Sequence, residues 1–205
     1  MAGLYHARVP LKTTGFPGAG LFHLAAVSPP GNEEREIALY RRSLFAALGV
    51  TTALAFPCAI PLAFMAPGRG PAAAGNLEGA LGAAWEGAVG SFISAGIVER
   101  SGAYYLGMSG PLEGIARRLR EILPAARAGL PAVEPPLACA LGFFLCLGRP
   151  GLPAPPPPPA VAFTDCALVV YRLELGDDPW AAMRWTCLAR AERHSGRPLR
   201  PAASR

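Results

Sequence analysis

The sequence has no glutamine, one lysine (Lys12), two asparagines (Asn32 and Asn76) and three aspartates (Asp165, Asp177 and Asp178) in 205 residues. With aspartate so scarce, paired-carboxylate or magnesium-assisted catalysis has few candidates. Asp177-Asp178 before Pro179 is well explained as a turn. No Cys-x-x-Cys spacing occurs among Cys58, Cys139, Cys146, Cys166 and Cys187; their number is odd and each sits among apolar neighbours. That argues against a disulfide framework and suits a reducing compartment. There is no G-x-G-x-x-G fingerprint, no Walker lysine and no N-x-S/T sequon, and Ser109 lacks the G-x-S-x-G spacing of a nucleophile elbow. The first residues lack the basic start and apolar core of a secretory leader, so none is expected.

What is present is apolar and loop-rich. The chain is 52% hydrophobic and 16% charged, with mean hydropathy +0.30, which predicts a packed core. Gly 24 and Pro 23 keep long regular elements few. Lysine is nearly replaced by arginine, and alanine, glycine and proline dominate, a coding bias of GC-rich genomes. The net charge of +5 permits contact with nucleic acid, but the basic residues are scattered and no aromatic-interleaved pattern accompanies them. The tail from Arg190 to Arg200 is the best electrostatic footprint. Three histidines, His6, His23 and His194, give no fixed metal or Cys–His geometry; His6 and His23 read as structural.

Residues 4–11 and 21–27 read as short strands. Asn32 as N-cap, the acids Glu33, Glu34 and Glu36, the stripe Ile37, Tyr40, Leu44 and Leu48, and the stop at Gly49 predict a helix, with Arg35, Arg41 and Arg42 off the stripe. Ser43 to Gly68 carries no charge and is long enough to span a bilayer. Pro57 and Pro61 favour buried strands at 53–56 and 60–65 instead. Leu77–Val98 reads as a glycine-weakened core helix, 104–108 as a strand or turn, 111–123 as a helix with Arg117, Arg118 and Arg120 facing water, and 137–147 as a short apolar helix. Pro155–Pro159 predicts polyproline II, a linker or a ligand for an SH3- or WW-type module. Residues 161–175 are the clearest strand, 180–191 is ambiguous between strand and helix, and the end from His194 is expected to be disordered.

Trp85-x3-Val89-x2-Phe92-x3-Gly96-x-Val98-Glu99, followed by Pro111-Leu112-x2-Ile115-Ala116, is similar in spacing to the BH1 region of Bcl-2-like apoptosis regulators. The resemblance implies a helical fold with a groove for an amphipathic BH3 helix. Ala84-Trp85-Glu86-Gly87 stands where that family has Asn-Trp-Gly-Arg, so no binding residue is carried over.

These patterns predict a single compact α+β domain with short strands near both ends and three to four helices between. Its organisation is a mixed core over 1–147, a proline-rich linker over 148–160, a strand-containing segment over 161–192 packed on the core, and a basic tail over 193–205. The function expected from sequence is non-enzymatic: an intracellular protein-interaction factor, of viral accessory or tegument type from a GC-rich, herpesvirus-like DNA virus, in the cytoplasm or nucleus of an infected cell. A Bcl-2-like regulator and a membrane-associated protein spanning near 44–66 are the alternatives. No cofactor, metal or catalytic residue is expected. The partner is expected to be a host or viral protein, with nucleic acid at the basic tail and membrane as secondary options. The interaction residues would be Arg117, Arg118, Arg120, Pro155, Pro157, Pro159, Trp180 and Trp185, since arginine and aromatic anchors dominate interfaces.

Overall fold

The computed structural model describes residues 20–65, 77–86, 88, 90–100, 102–123, 141–148, 151, 153–176 and 183–193. Among them the chain forms β1 (Gly20–Ser28), α1 (Gly31–Leu48), α2 (Thr52–Ala55), β2 (Ile60–Met65), α3 (Leu77–Ala84), β3 (Phe92–Arg100), β4 (Ala103–Ser109), α4 (Leu112–Ile122), β5 (Gly142–Leu147), β6 (Ala162–Phe163), β7 (Cys166–Leu175) and β8 (Arg184–Arg193). The strands pair antiparallel in two four-stranded sheets, ordered β2-β1-β7-β8 and β5-β4-β3-β6. This is one compact α+β domain, the class that the patterning predicts.

The sequence stripe of α1 is buried at Ile37, Tyr40 and Leu44, and Gly49 ends the helix in the left-handed region at φ 65°, its N–H bonded to the Phe45 carbonyl. Asn32 lies inside the helix, and Pro30 holds the N-cap position. Arg41 is not on the wet face as expected. It is 5% exposed, and its guanidinium donates to the Ala53 and Phe56 carbonyls at 2.6 Å each, satisfying backbone acceptors at the end of α2. A buried cation is tolerable where its donors are met.

Three sequence expectations are corrected. The helix over 77–98 stops at Ala84, because Gly90 takes φ 129° and Phe92, Ile93, Ile97 and Val98 favour a strand. In the helix expected over 137–147, the described part Gly142–Leu147 is instead β5: strands buried on both faces read as continuous apolar runs, indistinguishable by period from a core helix. A Cβ on its first residue, Gly142, would collide with the Leu106 carbonyl, so β4 and β5 meet there only because the residue is glycine. Residues 52–55 form a short helix rather than a strand, since alanine and leucine lack strand preference, and Phe56 and Pro57 end it. The ambiguous 180–191 segment resolves as β8, and the single strand predicted at 161–175 splits where the chain leaves one sheet, at β6, for the other, at β7. The 4–11 strand and the end from His194 lie outside the described residues.

Both alternative architectures fall. Eight strands exclude the all-helical Bcl-2-like fold. The uncharged 44–66 stretch is the end of α1, then α2 and β2, and among the described residues no helix is long and apolar enough to cross a membrane.

The core is in two parts. One cluster collects side chains from all four helices and one face of each sheet, including Leu44, Ala53, Leu81, Leu119, Leu168 and Leu106. The other contains no helix residue. It joins Phe22, Leu24, Phe64, Val169, Tyr171 and Leu173 of the first sheet to Tyr105 and Phe144 of the second, with Phe56 between them. Strand alternation sorts the residues: on β7, Ala167, Val169, Tyr171, Leu173 and Leu175 enter this helix-free seam while Cys166, Leu168 and Val170 face the helices.

The proline run is strapped to the body. The Tyr40 hydroxyl donates to the Pro156 carbonyl at 2.6 Å, and downstream Val161 exchanges hydrogen bonds with Ser94. Ala154, Pro157 and Ala160 are exposed, whereas Pro155, Pro156, Pro158 and Pro159 are half-buried. That period of three is the period of a polyproline II helix lying with one edge outward.

Candidate functional site

The seam between the sheets is shut along most of its length. Phe144 packs edge-to-face on Phe56 (5.9 Å between ring centroids) and on Tyr105 (6.0 Å), and all three are 2% exposed or less. No polar side chain reaches that part among the described cluster residues apart from the tyrosines.

The seam opens at β8. This edge strand continues the first sheet past β7, and residues directly opposite one another share a face. Leu173 faces Trp185, Tyr171 faces Cys187, Val169 faces Arg190 and Ala167 faces Glu192, so all four β8 residues stand on the seam side. All four are exposed, Trp185 by 47%. The Tyr171 ring sits edge-on to the Trp185 indole at 5.6 Å and 77°. Its hydroxyl is hydrogen-bonded to Ser28 and lies in the field of Glu34 and Arg190. Burial, then the neighbouring Cys187, pushes this phenol up to about 12, so it remains a neutral donor at ordinary pH. The Arg190 Nε donates to the Glu192 carboxylate at 2.5 Å, a bond that raises the arginine's pKa. The open flank therefore combines an indole face, a phenol and a guanidinium paired with a carboxylate.

Other reactive groups lie apart from it. His23 is on the opposite face of β1, across from Arg172; its Nδ1 is buried with no hydrogen-bond partner, and burial followed by the Arg172 charge lowers its pKa. Burial raises the Cys58, Cys146 and Cys166 thiols to about 12, 11 and 12, only partly opposed by Arg41 for the first two and Arg193 for the third. None of these three thiols is a nucleophile at neutral pH. Among the described residues no group of three His, Cys, Asp or Glu side chains converges as a metal site.

The residues singled out from sequence are dispersed. Arg117 and Arg120 are exposed on α4, Arg118 is half-buried with a buried, unpartnered Nη1, and the Arg120 Nε turns back to the Ala116 carbonyl. This helix lies on the helix-covered side of the first sheet, away from the seam. Pro155, Pro157 and Pro159 belong to the strap on α1. Trp180 lies outside the described residues. Trp185 alone of the set joins the open flank. Its partners Tyr171, Arg190 and Glu192 have one signal in the sequence, the alternation of Trp185 and Cys187, because 180–191 reads equally as strand or helix.

No protein-family model matches the chain, and no curated protein does. Solved structures do. The crystal structure of Escherichia coli LigT complexed with NADP+ superposes with a TM-score of 0.50 at 22% identity, covering 85% of this chain and 98% of that one. LigT complexed with 3'-AMP gives 0.49 at 20% identity, with 85% and 98% covered. A structure described as a phosphoesterase gives 0.48 at 18%, with 84% and 98% covered. The expectation of a non-enzymatic viral accessory or tegument-type factor is thereby corrected: the fold is similar to that of LigT. The reading "not an enzyme" rested on missing motifs, and it goes with it. At the level of architecture, the chain is similar to LigT over 85% of its length.

Proposed function

We propose that this protein acts on a phosphoester of a nucleotide or of an RNA end. The observation that carries the reading is the likeness to LigT complexed with NADP+, which takes in 85% of this chain and 98% of that one, far more than one hairpin or one βα unit. Fold alone does not set chemistry, and the open flank of the seam supplies what supports it here. Arg190 offers the planar donors that suit phosphate. Glu192 is the described carboxylate beside it to exchange a proton with an attacking water or a departing alkoxide. In hydrolysis, water adds to phosphorus, the phosphorus–oxygen bond to the leaving alcohol breaks, and the proton lost by the water ends on that alcohol.

The test is a turnover assay with 2'-5'- and 3'-5'-linked dinucleotides, run with and without added divalent cation. Hydrolysis that falls at least tenfold in both Arg190→Gln and Glu192→Gln, with the fold intact by circular dichroism, supports the reading. No hydrolysis of either linkage under any condition, or full activity in both variants, overturns it.

A further inference from the structure

The connection from β5 to β6 plays no part in the flank at β8. Between Leu147 and Ala162 it carries no helix or strand among its described residues. Connections of more than about a dozen residues without secondary structure are uncommon inside a compact domain unless they bind or cover something. This one holds a preformed rod, the five successive prolines Pro155–Pro159, and no charged residue stands anywhere from 150 to 164. Proline has no backbone N–H, so the run ties itself to the body through carbonyls and ring faces. The Pro156 carbonyl takes the Tyr40 hydroxyl at 2.6 Å. Both ends are fastened separately. The Gly148 N–H donates to the Gly102 carbonyl at 2.8 Å, the Val161 N–H to Ser94 Oγ at 2.9 Å, and the Ser94 N–H to the Val161 carbonyl at 2.8 Å. Gly151, at φ 82°, gives the backbone a turning point ahead of the prolines. The rod can therefore swing off Tyr40 while the second sheet stays paired. It leaves as the same polyproline II helix, with little order to lose.

Grooves that read polyproline II are lined with aromatic side chains. Tyr40, on α1, makes one such contact from inside the molecule. We infer that Pro155–Pro159 is a latent ligand, held shut by Tyr40, for a protein that offers an uncharged groove of aromatic side chains. The charge-free stretch gives a charged pocket nothing to hold, so ring faces and donors to the proline carbonyls carry the recognition. Pro155, Pro156, Pro158 and Pro159 are half-buried, so release gives up partial burial together with the Tyr40 bond. The inference goes beyond the phosphoester reading and does not rest on it.

The experiment titrates the full chain and its Tyr40→Phe variant, each shown folded by circular dichroism, into isolated profilin, a WW domain and an EVH1 domain by calorimetry. Tyr40→Phe is expected to bind at least one of them about fivefold more tightly than the parent, the worth of the hydrogen bond it removes. Decaproline peptide is expected to displace the chain. Adding Pro156→Ala and Pro158→Ala to Tyr40→Phe is expected to weaken binding at least tenfold. A further readout needs no variant: nitration of Tyr40 in the parent by tetranitromethane, followed by peptide mass spectrometry, is expected to speed up when the bound domain is present at saturation. No binding of Tyr40→Phe to any of the three domains overturns the inference. So does equal affinity in Tyr40→Phe and the parent, binding that survives decaproline or the alanine pair, or Tyr40 nitration indifferent to the domain.

Discussion

The same sheet face has two fates in this molecule. Under β1, β2 and β7 it is roofed by the second sheet, and every large side chain there, from Phe22 and Leu24 to Phe64 and Leu173, is buried. One strand further, at β8, the roof ends, and the face carries Trp185, Cys187, Arg190 and Glu192 instead. The comparison teaches that burial in this fold follows position across the sheet more than position along the chain. It also separates two jobs: the closed seam holds the sheets together, and its open flank is free to meet something else.

The sharpest way to break that division is to hollow out the closed part. Phe144→Ala removes a fully buried ring that touches both Phe56 and Tyr105, and about 3–5 kcal/mol of stability is expected to go with it in a denaturant titration. A loss under about 1 kcal/mol would mean that the seam is not a packed core. The next effect lies on the far face of β1. His23 has its pKa lowered in the folded protein, so the unfolded chain binds the extra proton. The stability His23 contributes is therefore complete above pH 6.5 and is lost as pH falls toward the lowered folded value. His23→Leu is expected to show a smaller drop in denaturation midpoint than the parent between about pH 7.5 and about pH 5; parallel drops would refute it. Smaller still, Tyr40→Phe removes the hydrogen bond from α1 to the proline strap, with an expected cost of about 1 kcal/mol and faster protease nicking near Pro156. Smallest of all, Trp185→Ala is expected to shift stability by no more than about 0.5 kcal/mol. A shift as large as that of Phe144→Ala would erase the distinction between closed and open parts.

Much of the fold could be read from the residues where local chemistry and tertiary setting agree. The Ile37, Tyr40, Leu44 stripe with Gly49 behind it, and the Leu112, Ile115, Leu119 stripe of α4, fold as their periodicity predicts. Reading failed where the tertiary setting decides. Phe143 and Phe144 point to different clusters, so β5 has no polar face to betray its period, and the glycines between 77 and 98 read locally as weak points of one helix although they mark the break between a helix and a strand. Arg41 lies off the apolar stripe, and nothing local reveals the carbonyls of Ala53 and Phe56 that hold it in the core. The candidate site was legible at one residue, Trp185. Tyr171, Arg190 and Glu192 come together only through the register of β7 and β8, and register is a property of two segments that neither shows alone.

The outward period of Ala154, Pro157 and Ala160 has a consequence for any proline-reading adaptor. Such a domain grips a left-handed helix by more than one of its ridges, and here the other ridges already lie against the protein's own surface. An adaptor would have to prise the run away from Tyr40 first, so it and the intact domain are competitors for the same prolines.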